Sequence, residues 1–227
     1  MAKKVQFGIK DLTVWPLTEG TDSQTGKPTM SYGAAVSIPG TTKIQLDPAG
    51  SEPTTFYADD SAYFVPGPKS QGYTGSFDNA LIPDAIKTSL MNFIKDGNNN
   101  LVELEQTEMK YFALAFSKET NDGDIRFVFF KCCFSNRLSI TGDTTTESQT
   151  PETQNAPIKI VPTTKKYTLG GVERSVIGNF TTDDTLTASY NAWFTTPQEP
   201  VTPTPDPDPD PDPDPDPDPE DEGGEDT

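Results

Sequence analysis

The C-terminal segment from Pro200 to Thr227 most constrains how this chain can fold, because it contains seven consecutive Asp-Pro units between Asp206 and Pro219. Proline removes the backbone donor from alternate positions and pushes each preceding aspartate toward extended geometry. The repeat also offers no apolar side chain to bury. We therefore predict a folded domain over residues 1–199 and a disordered, acidic C-terminal tail over residues 200–227.

The charge of the chain divides at the same boundary. Twelve of the 35 acidic residues lie between Asp206 and Asp226, where there is no lysine or arginine, so the domain has 23 acidic and 17 basic residues. Its net charge near −6 is ordinary for a soluble domain, and most of the total of −18 belongs to the tail. A strongly basic nucleic-acid-binding face is not expected.

The N-terminus predicts a soluble protein that is made inside a cell. Met1 to Lys4 leads directly into alternating Val5, Phe7 and Ile9, without the apolar core of an export signal. No segment approaches the roughly 20 uninterrupted apolar residues of a membrane span. We therefore expect no membrane partner.

Period-2 alternation and β-branched or aromatic residues recur along the chain, which is typical of a mainly β, antiparallel domain. Pro39-Gly40 and Asp47 to Gly50 are expected as turns, and Asp59 to Gly72 as a long loop that binds a partner or is mobile. The predicted strands are Lys4 to Val14, Met30 to Ile38, Thr41 to Leu46, Thr54 to Tyr57, Tyr111 to Phe116, Ile125 to Phe134, Ile158 to Val161, Val172 to Phe180 and Leu186 to Phe194.

One flanking α-helix is predicted from Ile82 to Gly97, with a proline near its start and a glycine at its end. Its apolar stripe, at helical spacing, would pack on the sheet. That stripe consists of Ala85, Ile86, Leu90, Phe93 and Ile94.

The strongest hairpin signal joins Tyr111 to Phe116 and Ile125 to Phe134 through a turn that contains Asp122-Gly123. Alternation places Phe127 and Phe129 on one face of the second strand, and Val128, Phe130, Cys132 and Phe134 on the other. A strand that is apolar on both faces is expected to be central and covered on both sides. The adjacent Cys132 and Cys133 would then point to opposite faces, buried and unbridged.

The residue inventory leaves little catalytic chemistry, and we predict that the chain is not an enzyme. There is no histidine, which removes Ser-His-Asp and Cys-His nucleophile activation. Three acidic pairs could supply a general acid and base, but acidic neighbours in loops are more often turn residues. They are Asp59-Asp60, Glu103 with Glu105, and Asp183-Asp184. No cofactor and no metal site are expected, because the Asp122-Gly123-Asp124 turn lacks the further ligands of a calcium loop.

Several segments, in this order along the chain, resemble the major tail proteins of long-tailed phages of Gram-positive bacteria. The similarity covers roughly Lys4 to Phe194 and rests on an aromatic-Ala-Leu strand, an Asp-Gly turn and an Arg-aromatic strand that leads to a lysine. The segments are Gly33, Ile38-Pro39-Gly40, Phe56 to Asp60, the single helix, Lys110 to Phe116, and Asp122 to Phe134.

The resemblance implies a β-sandwich or barrel-like tail-tube fold with one flanking helix, whose copies form sixfold rings that stack into the conduit for DNA. It implies no catalytic residue. The partners would be further copies of the chain and other tail proteins (tape measure, tail terminator and distal tail protein), with DNA passing only transiently through the lumen. The protein would be assembled in the host cytoplasm and lie in the virion tail.

Physical reasoning agrees with a self-assembling subunit, since the edges of an open sheet must be covered and a closed ring of sheets removes them. We expect the contacts between copies in the aromatic segment from Phe56 to Tyr73 and in the apolar strand from Arg126 to Phe134. The candidate oligomerisation residues are Phe56, Tyr57, Tyr63, Phe64, Tyr73, Phe127 and Phe129.

The alternative hypothesis is a carbohydrate-binding or adhesive β-sandwich, because Pro-rich acidic spacers also separate such modules from other domains. Only Trp15 and Trp193 would then be available as platforms on which sugar rings stack. A tube inside a contractile tail is a third possibility, since its sheath would be a separate protein.

Overall fold

The structure, a computed structural model, describes residues 5–51, 54–65, 67, 69–105, 108–142, 144 and 151–202. Of the predicted disordered tail, residues 203–227, which include the Asp-Pro repeat, lie outside the described residues. Two helices are present, α1 (Asp84–Leu90) and α2 (Thr187–Ala192). The strands, in chain order, are β1 (Gln6–Thr21), β2 (Pro28–Tyr32), β3 (Val36–Ser37), β4 (Thr41–Ser51), β5 (Phe56–Ala58), β6 (Ser61–Phe64), β7 (Lys69–Asn79), β8 (Phe93–Lys95), β9 (Leu101–Glu103), β10 (Tyr111–Thr120), β11 (Gly123–Phe134), β12 (Gln154–Ile160), β13 (Lys166–Leu169), β14 (Val172–Ser175) and β15 (Gly178–Phe180).

The prediction of a mainly β, antiparallel domain is confirmed. Nine strands form one sheet in the order β2-β1-β10-β11-β12-β7-β4, with β3 beside β1 and β15 beside β11. Residues of β1 and β4 approach within 8 Å at Cα, although these strands lie near opposite ends of that order. The sheet therefore curls around its inner face into a barrel-like shape.

Two hydrophobic clusters hold the sheet. The inner core lies inside the curl and combines side chains of β1, β7, β10, β11 and β12 with Ile86 and Leu90 of α1. The outer core covers the opposite face of β10 and β11, where Trp15, Val128, Phe130 and Trp193 are buried. The prediction of a central strand that is covered on both sides is confirmed for β11.

The β10–β11 hairpin forms as predicted, with Thr120 paired to Gly123 across a two-residue turn and a φ of 96° at Gly123. The prediction of side-chain faces along β11 was wrong beyond Phe130. Phe129 pairs with Leu114 but Cys132 pairs with Phe112, so β11 has one extra residue. This β-bulge reverses the alternation, and Cys132 and Phe134 join Phe129 in the inner core.

Both cysteines are free and buried, as predicted. Cys132 packs in the inner core. Burial raises the pKa of both thiols. Neither sulfur is therefore set up as a nucleophile.

The helix prediction was too long. Helix α1 ends at Leu90, and Asn92 adopts a left-handed φ of 57°. The chain then forms β8 and β9, which pair through Ile94 and Val102. Phe93 and Ile94 fit a helical stripe equally well by spacing, but the left-handed residue before them prevents the helix from continuing. Ala85, also assigned to the stripe, is exposed.

The turn predicted from Asp47 to Gly50 was also wrong, because these residues lie within β4. Pro48 pairs with Tyr73 in β7, and β4 ends the sheet. An edge strand tolerates proline because the missing N–H need not face a neighbouring strand.

The segment from Leu186 to Phe194 was predicted as a strand and instead contains α2, a second short helix. It is held against the sheet by Arg126, whose Nη1 donates to the carbonyl oxygen of Tyr190. The Arg126 guanidinium also lies 3.7 Å from the centroid of the Tyr190 ring and 5.2 Å from that of Phe194. This cation–π contact and the burial of Trp193 cover the outer face of β11.

The bulge in β11 carries Lys131, which forms a half-buried ion pair on the outer face. Its Nζ lies 2.7 Å and 2.8 Å from the two carboxylate oxygens of Glu19 and 2.9 Å from Thr164 Oγ1. Burial alone would raise the pKa of Glu19. The hydrogen bonds from Lys131 and Thr164, together with the Lys131 charge, outweigh it, so this pKa lies below its ordinary value.

Glu19→Gln is expected to lower the free energy of unfolding at pH 7 by about 1–2 kcal/mol, because it leaves Lys131 with an unbalanced charge in a mostly buried position. The lowered pKa means that the carboxylate stabilises the fold above its ordinary pKa of 4.5 and loses this effect as the pH falls through the folded-state value. In urea titrations, the difference between wild type and variant should therefore shrink below pH 4.5.

The matched control is Glu119→Gln, which removes the carboxylate of an exposed pair at 3.0 Å from Lys10. We expect no measurable loss of stability there, since exposed ion pairs are screened by solvent. Equal losses in the two variants would contradict the role assigned to burial of the Lys131–Glu19 pair.

Candidate assembly surface

The loop predicted from Asp59 to Gly72 is largely strand, because Ser61–Phe64 is β6 and β7 begins at Lys69. β5 and β6 form a β-hairpin, which we call the aromatic hairpin (Phe56–Phe64). Ala58 pairs with Ser61, so Asp59 and Asp60 form a two-residue turn with φ values of 50° and 56°. Positive φ at both central positions matches the right-handed twist of the flanking strands, and aspartate tolerates that conformation. Asp59-Asp60, one of the three acidic pairs considered as a general acid and base, therefore forms the tip of a hairpin.

Four of the seven predicted oligomerisation residues project from this hairpin. Phe56 and Phe64 are each 60% exposed, Tyr57 is 68% exposed and Tyr63 is 72% exposed. Phe56 and Tyr63 make an edge-to-face contact at 6.4 Å between ring centroids. Large aromatic side chains are usually buried at least in part, so an exposed cluster of this kind is typical of an interaction surface.

The other three predicted residues lie elsewhere, in what we call the aromatic groove. Phe129 is only 3% exposed and forms the floor, with Tyr73 at 5.5 Å between ring centroids. Phe127 stacks on Phe116 at 5.0 Å. The structure thus places the seven residues in two separate groups. The groove is lined by Leu46, Tyr73, Phe116, Phe127, Phe129 and Phe180, with Ile44 and Lys118 at its side.

Phe180 of β15 was not among the predicted residues. It is 44% exposed, and its ring centroid lies 5.3 Å from Phe127 and 5.8 Å from Phe129. Sequence reasoning placed it in a late strand but gave no reason to bring that strand beside β11. In the sequence, the one feature that could have marked Phe180 as a groove residue is that it is an aromatic residue shortly after a glycine, Gly178.

Both ends of the sheet order present edges. β4 pairs with β7 on one side, and β2 pairs with β1 on one side, and neither has a second ladder within the described ranges. β4 is eleven residues long, with Pro48 in it and Lys43 exposed. Proline and lysine on an edge strand oppose its pairing with a strand of another molecule. The hairpin that follows β4 in the chain is therefore a more accessible contact for another copy than the edge of β4 itself.

The other two acidic pairs that were weighed as catalytic pairs lie at the surface. Glu103 lies 3.0 Å from the Nε of Arg137, while Glu105 is exposed. Asp183 and Asp184 are also exposed. Within the part of the chain that the structure describes, no three His, Cys, Asp or Glu side chains cluster as a metal ion would need. Over the same residues, no helix is long and apolar enough to cross a membrane.

The segment that precedes the predicted tail makes polar contacts with the rest of the domain. Glu199 lies 2.5 Å from the Nζ of Lys165. Burial, followed by the nearby negative charge of Glu199, raises the pKa of Tyr32 and Tyr167. These contacts hold Glu199 beside Lys165 and close to the rings of Tyr32 and Tyr167.

Comparison with known proteins adds no relative, since no protein-family model matches the chain and no curated protein matches it.

Proposed function

We propose that this chain is the major subunit of a phage tail tube, which self-assembles into stacked rings and forms a conduit for DNA. In the family that it resembles these rings are hexameric. The protein would act without cofactor or catalysis, in the virion tail, after assembly in the host cytoplasm. Its partners would be its own copies and the tape measure, tail terminator and distal tail proteins, in a non-contractile or a contractile tail.

One observation carries the proposal, namely the aromatic hairpin. It presents four aromatic side chains that are 60–72% exposed. A monomer gains little from such a surface, whereas a polymer buries it at every repeat. The resemblance and the two open sheet edges support the same conclusion.

The charge distribution suits a conduit better than a DNA-binding protein. Each lysine or arginine paired with a phosphate would release counterions and add holding energy along the tube. A domain with a net charge near −6 instead repels DNA weakly, over about one Debye length of roughly 8 Å.

Electron microscopy of the purified full chain at increasing concentration tests the proposal. Rings or hollow tubes, together with a concentration-dependent sedimentation coefficient, are the expected result. A protein that stays monomeric at every concentration would overturn it. Binding of the monomer to a glycan array would instead favour the carbohydrate-binding alternative.

The carbohydrate-binding alternative depended on two tryptophan side chains that are buried. Trp15 and Trp193 are each 1% exposed in the outer core, so neither can stack on a sugar ring. Only tyrosine and phenylalanine rings, chiefly those of the aromatic hairpin, remain exposed for such a role.

Truncation after Pro200 is expected to leave tubes intact but to make them bundle at low salt. Each tail contributes 12 negative charges, or 72 in a ring of six copies. We expect the tails on the outside of the tube, because they would obstruct a bore, and there they would repel neighbouring tubes. Light scattering against ionic strength measures the bundling.

The control for this prediction is the full chain with the seven aspartates of the repeat replaced by asparagine, which keeps the length and the prolines. It should bundle almost as readily as the truncated chain. Loss of rings on truncation would show that the tail has a role in assembly itself.

A further inference from the structure

The aromatic groove has the size and chemistry of a receptor for aromatic side chains. Its volume is about 200 Å³. An engineered apolar cavity of about 150 Å³ holds one benzene molecule, so the groove has room for one or two rings. β11 pairs with β12 only from Cys132 to Phe134, and the groove lies beside the earlier part of β11, at Phe127 and Phe129. β15 and the β4–β7 pair form its other walls.

The hairpin of the same chain is separated from this groove along the β4–β7 ladder. It follows the end of the β4–β7 ladder at Ser51 and Lys69, whereas the groove begins at Leu46 and Tyr73. At about 3.3 Å per residue the hairpin would have to fold back roughly 15 Å along its own ladder. A second copy of the chain can present the hairpin without that reversal.

The charges of the two surfaces are complementary. Asp59 and Asp60 at the hairpin tip are exposed, and neither forms an ion pair with another described residue. Lys118 beside the groove is half-buried and likewise has no ion-pair partner in the described part of the chain. A hairpin that enters the groove would bring an acidic tip toward an unbalanced cation, which orients the contact.

We infer that the aromatic hairpin of one copy binds in the aromatic groove of a neighbouring copy. This inference rests on the proposed function and names the partner of its assembly surface. Hairpin and groove are different patches, so the contact is heterologous, and each copy keeps a free hairpin or a free groove for the next. Such a contact propagates into a ring or stack of rings.

The size of the contact explains how free subunits and tubes could coexist. Four aromatic side chains at 60–72% exposure offer on the order of 500 Å² of removable apolar surface. A stable pairwise interface buries about 800 Å² on each partner. One contact is therefore weak by itself, and its strength comes from repetition around a ring.

Site-specific photocross-linking tests the inference directly. A benzophenone amino acid replaces Tyr63 in the full chain, and heavy-isotope-labelled and unlabelled chains are mixed before assembly and illumination. We expect cross-linked peptides that join position 63 of one chain to the groove segments around Leu46, Lys118 or Phe127 of another. The matched control carries the benzophenone at Leu186, which is 77% exposed, close to the 72% of Tyr63, and does not line the groove. It should not give these peptides.

A second variant tests the proposed attraction between the acidic hairpin tip and Lys118. Lys118→Glu is expected to lower the yield of this cross-link severalfold, and more at low salt than at high salt. Lys166→Glu makes the same change in net charge on the β13–β14 hairpin, no residue of which lines the groove, and should leave the yield unchanged. Equal effects of the two variants would overturn the role assigned to Lys118.

The outcomes separate this inference from the proposed function. Tubes with the hairpin–groove cross-link support both, and tubes without it overturn the inference alone. The cross-link between chains without rings or tubes supports the inference and overturns the function. Cross-links found only within single chains, or none together with a monomeric protein, overturn the inference.

Discussion

Replacing the four exposed aromatics of the hairpin by threonine is expected to abolish rings and tubes while leaving the domain folded. The variant is Phe56→Thr, Tyr57→Thr, Tyr63→Thr and Phe64→Thr in one chain. Threonine keeps the strand preference of the hairpin but removes the ring surfaces. Electron microscopy should show no tubes, and sedimentation should show a monomer at concentrations where the wild type assembles.

The separation of assembly from folding follows from exposure. None of the four side chains belongs to either hydrophobic cluster. Their removal should change the free energy of unfolding by less than about 1 kcal/mol, as is usual for surface positions. The edge-to-face contact of Phe56 with Tyr63 is the main interaction lost within one copy.

The control must remove exposed apolar surface elsewhere. Phe7→Thr with Val172→Thr and Leu186→Thr replaces side chains that are 60%, 50% and 77% exposed and that belong neither to the hairpin nor to the groove lining. This triple variant should still form tubes. Tubes in the hairpin variant, or their loss in both variants, would contradict the assignment of assembly to the hairpin.

The parts of the fold that sequence predicted well are those whose information is local. The β10–β11 hairpin has alternating apolar residues on each side of an Asp-Gly turn, and the observed turn pairs Thr120 with Gly123. The central position of β11 follows from its two apolar faces. In both cases a few neighbouring residues fix the geometry.

The two apolar faces of β11 identify it as a central strand. The same feature hides the bulge at Lys131 from sequence-based prediction. A strand with one polar face reveals its register, because a shift by one residue would bury polar side chains. From Phe127 to Phe134 both faces are apolar except at Lys131, so the alternation carries little register information. Only the pairing with Leu114 and Phe112 reveals the extra residue.

The sequence identified most of the aromatic residues of the candidate assembly surface, but not how they are divided between the hairpin and the groove. Aromatic content identified the segment from Phe56 to Tyr73 and the strand from Arg126, yet exposure depends on which strands become neighbours. Phe129 is covered because Tyr73 and Phe180 pack over it, and both contacts join residues that are distant in sequence. The Asp59-Asp60 turn was the missed local signal, since two aspartates between short aromatic runs suit a tight hairpin.

The largest effect expected from a single substitution lies in the ladder that supports the hairpin. Gly75→Ala should lower the free energy of unfolding by about 3–5 kcal/mol, as severe overpacking in a sheet interior does. Gly75 lies in β7 between Leu46 of β4 and Ile158 of β12. A Cβ there would lie 1.9 Å from the Gln45 carbonyl oxygen and 3.0 Å from the Leu46 Cα.

The cause is steric and not conformational, because Gly75 does not have a positive φ. The clash is with backbone, so no side-chain rotation relieves it, and β4 must move away from β7. That movement breaks ladder hydrogen bonds and exposes Ile44 and Leu46, which pack against the inner core. It also displaces one wall of the aromatic groove and the base of the hairpin, so assembly should fall even where the domain remains folded.

Urea unfolding followed by tryptophan fluorescence measures the effect, since Trp15 and Trp193 are both buried. Gly8→Ala is the matched control, because it also lies in a strand, has no positive φ, and a Cβ there meets nothing within 4 Å. That variant should be as stable as the wild type or slightly more so, because alanine restricts the unfolded chain. A loss below about 1 kcal/mol for Gly75→Ala would mean that β4 can yield without cost, and the ladder would then not be the rigid support that hairpin and groove require.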